Sequence, residues 1–254
     1  AQHFGNARQL TFNHLDPSLE MWAWIDADDV LEGGELLKDA VTRLPPELIG
    51  IWRPYHYGAV IRADGQRRVN TLFHRERFLR TRFNDKPVSW TWEGRVHETV
   101  KPDVPASWAL NDSLVFVHQP GAHVTNDSAP RNLLLLEMDY ENETAEGGNP
   151  SPRTVFYLGN QHFAMGAWQQ AINWYEVLCG GLGNNPYEIW QSYLYASIAY
   201  ENLGDMTGAN QAAYAALDTV PLHGEPYFRI AAIANKCGEF EKALHWNKMG
   251  RQMK

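Results

Sequence analysis

The chain has 254 residues, 44% of them apolar, and a formal charge of −8. That length suits one large domain or two ordinary ones, and the acidic balance excludes a sequence-independent grip on nucleic acid or an anionic membrane face. Two cysteines, Cys179 and Cys237, imply no disulfide framework and point to a reducing, cytoplasmic setting, and no apolar run approaches the ~18–20 residues of a membrane span.

Residues 4–15 carry Phe4, Ala7, Leu10, Thr11 and His14 at helical spacing, and Asp16-Pro17-Ser18 stops them. Met21 to Ile25 reads as a short strand covered on both faces. From Glu35, the residues Leu36, Leu37, Ala40, Val41 and Leu44 recur with helical period until Pro45-Pro46 ends them. Ile49–Arg62 and Gln66–Phe73 read as strands of one hairpin, because Asp64-Gly65 is a strong turn signal. The aromatic stretch Trp90–Val96 and the run Ser113–Val117 complete a sheet. Arg131–Glu143 predicts a linking helix, and the Gly- and Pro-rich segment 146–152 a hinge.

The remainder repeats. Gly166, Gly204 and Gly238 follow one another at intervals of 38 and 34 residues, and each precedes an alanine by five positions: Ala171, Ala209 and Ala243. Around each glycine lies a helix-turn-helix pattern. This resembles the tetratricopeptide repeat, whose period is ~34 residues and whose small residues let paired helices pack closely.

The sharpest chemical signal is Trp22-Ala-Trp-Ile-Asp-Ala-Asp-Asp-Val-Leu31. Three carboxylates end an apolar strand, where burying charge is costly. On an extended backbone Asp26 and Asp28 would share one side, and a hard divalent cation with oxygen ligands would remove their repulsion. A solvated acidic turn is the competing reading. Trp90-Thr-Trp-Glu-Gly-Arg-Val-His-Glu98 forms a second constellation, and Leu114-Val-Phe-Val-His118, followed by His123, a third.

Taken together these stretches resemble family 2 glycosyltransferases of the GT-A fold. Residues 22–31 are similar to their strand and DxD motif, and Phe4-Gly-Asn-Ala-Arg8 to the helix before it. Residues 90–98 are similar to the Trp-x-Gly-x-Val-His-Glu segment of a subgroup that carries tetratricopeptide repeats after the catalytic domain. Gln9 stands where the family has Asn, which implies an altered or lost polar contact. The fold so implied is α/β followed by all-α. It places the C-terminal portion of a GT-A, Rossmann-like domain at 1–128, a linking helix and hinge at 129–152 and tetratricopeptide-like repeats at 153–254. The βαβ nucleotide-binding half of such a domain is not seen ahead of Ala1, so a fragment lacking ~80–100 residues is expected.

The resemblance implies a metal-dependent, inverting transfer of a sugar from a nucleotide-sugar donor, a UDP-sugar, with Mn²⁺ or Mg²⁺. In that scheme Asp28 and His118 hold the metal, Asp26 contacts metal or ribose, and His123 is a weaker metal candidate. Arg8, Arg95 and His97 meet the donor. Glu98 is the base that deprotonates the acceptor, with Asp29 as its substitute. The repeats would bind a protein or peptide acceptor or a second subunit. Two alternatives stand beside this scheme: a non-catalytic, repeat-based interaction module with a degenerate front half, and a metal-dependent hydrolase.

Overall fold

The computed structural model describes residues 3–16, 18–62, 64–119 and 128–253. The chain divides into two compact units, residues 1–125 and 126–254. In the first, α1 (Phe4–Phe12) precedes β1 (Met21–Ala23), β2 (Asp29–Glu32) and α2 (Leu37–Thr42). A long hairpin follows, β3 (Gly50–Ile61) with β4 (Arg67–Arg80), then β5 (Arg82–Phe83) and β6 (Lys86–Pro87). The unit closes with β7 (Trp90–Glu93), β8 (Thr99–Pro102), β9 (Trp108–Leu110) and β10 (Val115–His118).

The main sheet runs β1-β4-β3-β10-β2, with β9 also on β3. Three pairings are antiparallel, β1 with β4, β4 with β3 and β10 with β2. Only β10 and β9 lie parallel to β3. The expected α/β, Rossmann-like GT-A portion is therefore corrected: this is a mixed, mainly antiparallel sheet. A doubly wound sheet needs a crossover helix between parallel neighbours. Here the chain travels from β3 to its parallel partners β9 and β10 by way of strands β4 to β8. Alternation of apolar residues marks strands but carries no sign of their direction, and the doubly wound arrangement was implied by the family resemblance alone.

Both faces of the sheet are packed. One core joins Trp22, Trp24, Ile49, Leu79, Trp90 and Trp92. The other joins Leu44, Ile51, Tyr55, Phe78, Leu114 and Phe116. Neighbours Phe78 and Leu79 fall on opposite sides, as strand alternation requires. The register breaks once: Ile51 faces Phe78 while Trp52 faces Glu76, leaving Arg77 as an extra residue in β4. Such a bulge re-aims a side chain.

The second unit is all helix: α3 (Ser128–Thr144), α4 (Pro152–Ala164), α5 (Trp168–Val177), α6 (Pro186–Asn202), α7 (Met206–Thr219), α8 (Gly224–Lys236) and α9 (Phe240–Gly250). The segment expected as a linker, α3, packs on α4 within this unit. Ser151 and Asn185 cap α4 and α6, each followed by Pro at the first helical position, where a missing N–H costs nothing. Gly166, Gly204 and Gly238 each turn one helix into the next with φ between 73° and 83°, a conformation glycine adopts freely. The first interval between them is four residues longer than the second, and a wide helical turn at Leu178–Leu182, with Gly181 at φ 123°, takes up the excess.

Close packing of the pairs rests on small residues. A Cβ on Gly159 would lie 2.4 Å from the Tyr175 ring, so α4 and α5 touch there. Ala171 and Ala209 are fully buried. A polar clamp ties three helices: Ser197 on α6 donates to the Ala209 carbonyl of α7 at 2.6 Å, and Arg229 of α8 donates to Ser197 Oγ at 2.8 Å and its carbonyl at 2.7 Å. Glu201 closes the clamp on Arg229. Among the described residues no helix is long and apolar enough to cross a membrane.

Ala209→Leu should overpack the α6–α7–α8 contact and lower stability by ~1–3 kcal/mol. Thermal denaturation followed at 222 nm would read this as a fall in Tm, and an unchanged Tm would show that the contact is looser than the burial implies.

Candidate functional site

The three aspartates do not lie on one strand. β1 ends at Ala23, and the Asp29 amide donates to the Asp26 carbonyl at 3.0 Å, closing a turn over Ala27 and Asp28. Period-two alternation does not apply inside a turn, so the carboxylates go three ways. Asp26 accepts from Arg8 Nη2 at 2.6 Å. The Asp28 side chain is 43% exposed. The Asp29 side chain is fully buried, and it accepts from the Tyr55 hydroxyl at 2.8 Å and from Arg77 Nη2 at 2.9 Å.

Strand pairing brings His118 to this turn, because β10 sets His118 opposite Asp29 and the Gln119 amide donates to the Asp28 carbonyl at 2.7 Å. His118 Nδ1 stands 3.5 Å from Asp29 Oδ1 and 3.8 Å from Asp28 Oδ1. It is buried without a hydrogen-bond partner. One ligand atom each from Asp28, Asp29 and His118 lie within 4.8 Å of one another. Two carboxylates and an imidazole with an unused nitrogen suit Mn²⁺ or Mg²⁺. The Tyr57 ring stacks on His118, centroids 4.7 Å apart and planes 14° from parallel, which holds the imidazole in place.

Arg77 underlies the cluster. Its guanidinium is fully buried, 3.8 Å from the Trp24 ring and 4.7 Å from those of Tyr55 and Phe116. It also donates to the Trp24 carbonyl at 3.3 Å. Burial pulls the Arg77 pKa below its ordinary value, opposed mainly by Asp29. Burial also pushes the Tyr55 hydroxyl upward, reinforced by the hydrogen bond to the Asp29 carboxylate.

The second constellation gathers around Arg8. Its guanidinium lies 4.8 Å from the Trp24 ring and 5.2 Å from that of Trp92. Its Nε is 3.6 Å from Glu98 Oε1, so Asp26 and Glu98 share one cation. Glu98 is only 12% exposed, and its carbonyl accepts from Arg75 at 3.0 Å. Residues 94–98 form the tip of the β7–β8 hairpin, with Gly94 at φ 88° and His97 at φ 54°. A non-glycine residue in that region stores strain of ~1–3 kcal/mol, a feature that concentrates at functional sites. Arg95 and His97 are half-buried there, and the Arg95 carbonyl accepts from the Phe4 amide. Gln9 is not a lost contact: it donates to the Trp90 carbonyl at 3.1 Å and accepts from the Trp92 amide at 3.0 Å, pinning α1 to β7. Beside these residues opens a cleft of about 300 Å³ lined by Arg8, Phe12, Trp22, Trp24, Ile25 and Trp92.

Of the residues singled out in the sequence, Asp28, Asp29 and His118 converge, while Asp26, Arg8 and Glu98 form a neighbouring ion cluster. His123 lies outside the described residues. Sequence reasoning missed Arg77, Tyr55 and Tyr57. The signal for Arg77 was weak: Phe73–Arg80 holds four charged residues and His74 among three apolar ones, and nothing in the spacing says which charge turns inward.

No family model matches the chain, and no curated protein matches it either. Solved structures similar to it are of MamA, a tetratricopeptide-repeat protein. MamA from MSR-1 is 20% identical over 52% of this chain and 70% of that one, with a TM-score of 0.42. MamA from AMB-1 is 20% identical over 52% and 73%, also at 0.42. A further MamA structure is 17% identical over 50% and 68%, at 0.43.

Removing one partner of the buried Asp29–Arg77 pair strands a charge, at a cost of ~3–5 kcal/mol. Asp29→Ala and Arg77→Ala should each lower the urea midpoint of the first unit strongly. Equal stability to wild type would mean that the pair is solvated in solution.

Proposed function

We propose that the protein is an interaction module, a helical-repeat array that docks a protein or peptide, carried on a chain that also holds a divalent-cation site. The carrying observation is the threefold recurrence of one antiparallel helix pair, α4–α5, α6–α7 and α8–α9, each turned by a left-handed glycine. Stacked pairs of this kind present an extended surface to a partner. Between α5, α6 and α7 opens a cleft of about 210 Å³, lined among others by Tyr175, Glu176, Tyr193, Tyr200 and Gln211. Its aromatic faces and carboxylate suit a large or cationic side chain. Peptides selected from a displayed random library on the full chain would test this. Binding lost in Tyr200→Ala supports the cleft, binding indifferent to it moves the docking surface elsewhere, and an unenriched library removes the reading. A reducing, cytoplasmic setting, which the absence of a disulfide framework favours, would keep Cys179 and Cys237 as thiols.

A second reading, metal-dependent glycosyl transfer, is favoured by the Asp28–Asp29–His118 cluster and by the resemblance of residues 22–31 and 90–98 to family 2 glycosyltransferases. Asp28 and His118 would hold Mn²⁺ or Mg²⁺, with Asp29 behind them. When bound, the cation would neutralise charge on the diphosphate of a nucleotide sugar such as a UDP-sugar. Asp26, held by Arg8, would contact the donor together with Arg95 and His97 on the strained hairpin tip. Asp29 is enclosed by Tyr55 and Arg77, so the proton-accepting role falls to Glu98, which Arg8 positions.

Mn²⁺ should bind wild type and fail to bind Asp28→Ala in calorimetry, with His118→Ala intermediate and restored by excess metal; equal affinities would leave the cluster as an ordinary acidic turn. If transfer occurs, Glu98→Gln should leave metal affinity unchanged while turnover falls ~10²–10⁴-fold, the range for loss of a general base. Sugar captured on a protein separates transfer from hydrolysis, and no turnover with an intact Mn²⁺ site leaves the interaction module alone.

A further inference from the structure

The two joints between successive helix pairs can be compared position by position, counting from the turn glycines Gly204 and Gly238. Eight residues before each stand Ala196 and Ile230; eight after, Ala212 and Trp246; eleven after, Ala215 and Met249. At the joint of α7, α8 and α9 the larger side chains fill the space. Ile230 is fully buried there, and the Trp246 ring packs against Tyr214 and Tyr227, with centroids 5.6 and 5.8 Å away. At the joint of α5, α6 and α7 the three alanines leave room, and the cleft of about 210 Å³ opens beside them. The array thus keeps open at one joint a space in which, at the next, it lodges an indole.

The walls of the two spaces differ in one respect that bears on charge. Tyr193, eleven residues before Gly204, corresponds to Tyr227, eleven before Gly238. Glu176, ten residues after Gly166, stands where Tyr214 stands ten after Gly204. Glu176 is exposed and accepts from the Tyr200 hydroxyl at 2.9 Å, and among the described residues no cation stands beside it. The cleft keeps a shape suited to a flat side chain and adds an unanswered carboxylate at its edge.

We infer that this cleft receives an arginine side chain of a protein or peptide partner, which rests on the docking-module reading and names what the module docks. A guanidinium is planar, as an indole is, and stacks on tyrosine faces. Its fork of N–H groups meets a carboxylate two at a time, and Glu176 offers one. Its three methylenes would lie along Ala196, Ala212 and Ala215, as long cationic side chains do on apolar surface. A lysine brings the charge without the flat face, and a tryptophan brings the flat face without the charge. The formal charge of −8 also favours the approach of a basic partner.

The test is a titration of the full chain with a capped pentapeptide, arginine between glycines, followed by NMR through the ring protons of Tyr193 and Tyr200. These signals should shift and saturate with a dissociation constant on the order of 1 mM, as suits a single side chain. Peptides carrying lysine, citrulline or tryptophan instead should each bind at least about fivefold more weakly. Glu176→Gln, a change on the exposed rim, should weaken the arginine peptide about tenfold, the scale of one charge-assisted bond. Ala212→Trp, which supplies the side chain found at the other joint, should abolish the shifts while the helical circular dichroism stays intact. A citrulline or tryptophan peptide bound as tightly as the arginine one, or shifts indifferent to both variants, would overturn the assignment. Library peptides that need Tyr200 but lack arginine would also overturn it while leaving the docking module standing. An unenriched library together with a silent titration would remove both.

Discussion

The first unit depends on one buried ion pair. Arg77 and Asp29 are both wholly removed from water, and each alone would be intolerable there. Tyr55 and Arg77 occupy both oxygens of Asp29, and the Trp24 carbonyl and the rings of Trp24 and Phe116 receive the rest of the guanidinium, whose Nε alone has no hydrogen-bond partner among the described residues. The consequence is positional: Asp29 begins β2, so fixing its carboxylate fixes the turn that presents Asp28 and the strand that faces His118. The bulge that turns Arg77 inward and the cluster at the surface are one arrangement.

This division of labour among three adjacent carboxylates is chemically economical. Asp26 answers Arg8, Asp29 answers Arg77, and Asp28 alone keeps substantial exposure. Like charges so close together are tolerated because two already have a cation and the third has solvent or a ligand to meet. The aromatic residues serve the same end. Arg8, Arg75 and Arg77 all lie within 5 Å of the Trp24 ring centroid, so one indole borders three guanidinium groups.

Local signals in the sequence were legible where chemistry is local. Asp64-Gly65 marks the β3–β4 turn, Pro45-Pro46 follows the end of α2, and the spaced glycines mark the paired helices. Direction and register were not legible. The strand run from Ile49 says nothing about whether its neighbours are parallel, and the α/β expectation failed on that point. The site was legible in part: the acidic run at Asp26–Asp29 stood out, His118 was joined to it only by the family resemblance, and the Asp26–Asp28 alternation presumed a strand that has already ended at Ala23. Arg77 owes its role to a one-residue register shift, a property of two strands together and therefore absent from either read alone.

The clamp of Ser197, Arg229 and Glu201 makes the joints of the helical array unequal. It locks the second and third helix pairs through buried polar geometry, which tolerates little rotation. The first pair meets the second through apolar packing, Ala171 and Tyr175 against Ala196 with the Phe163–Tyr195 stack beside them, and an exposed Tyr200–Glu176 hydrogen bond at the edge. Rotation at one joint is therefore held by directional, charge-assisted bonds, and at the other mainly by the shape of interlocking apolar side chains.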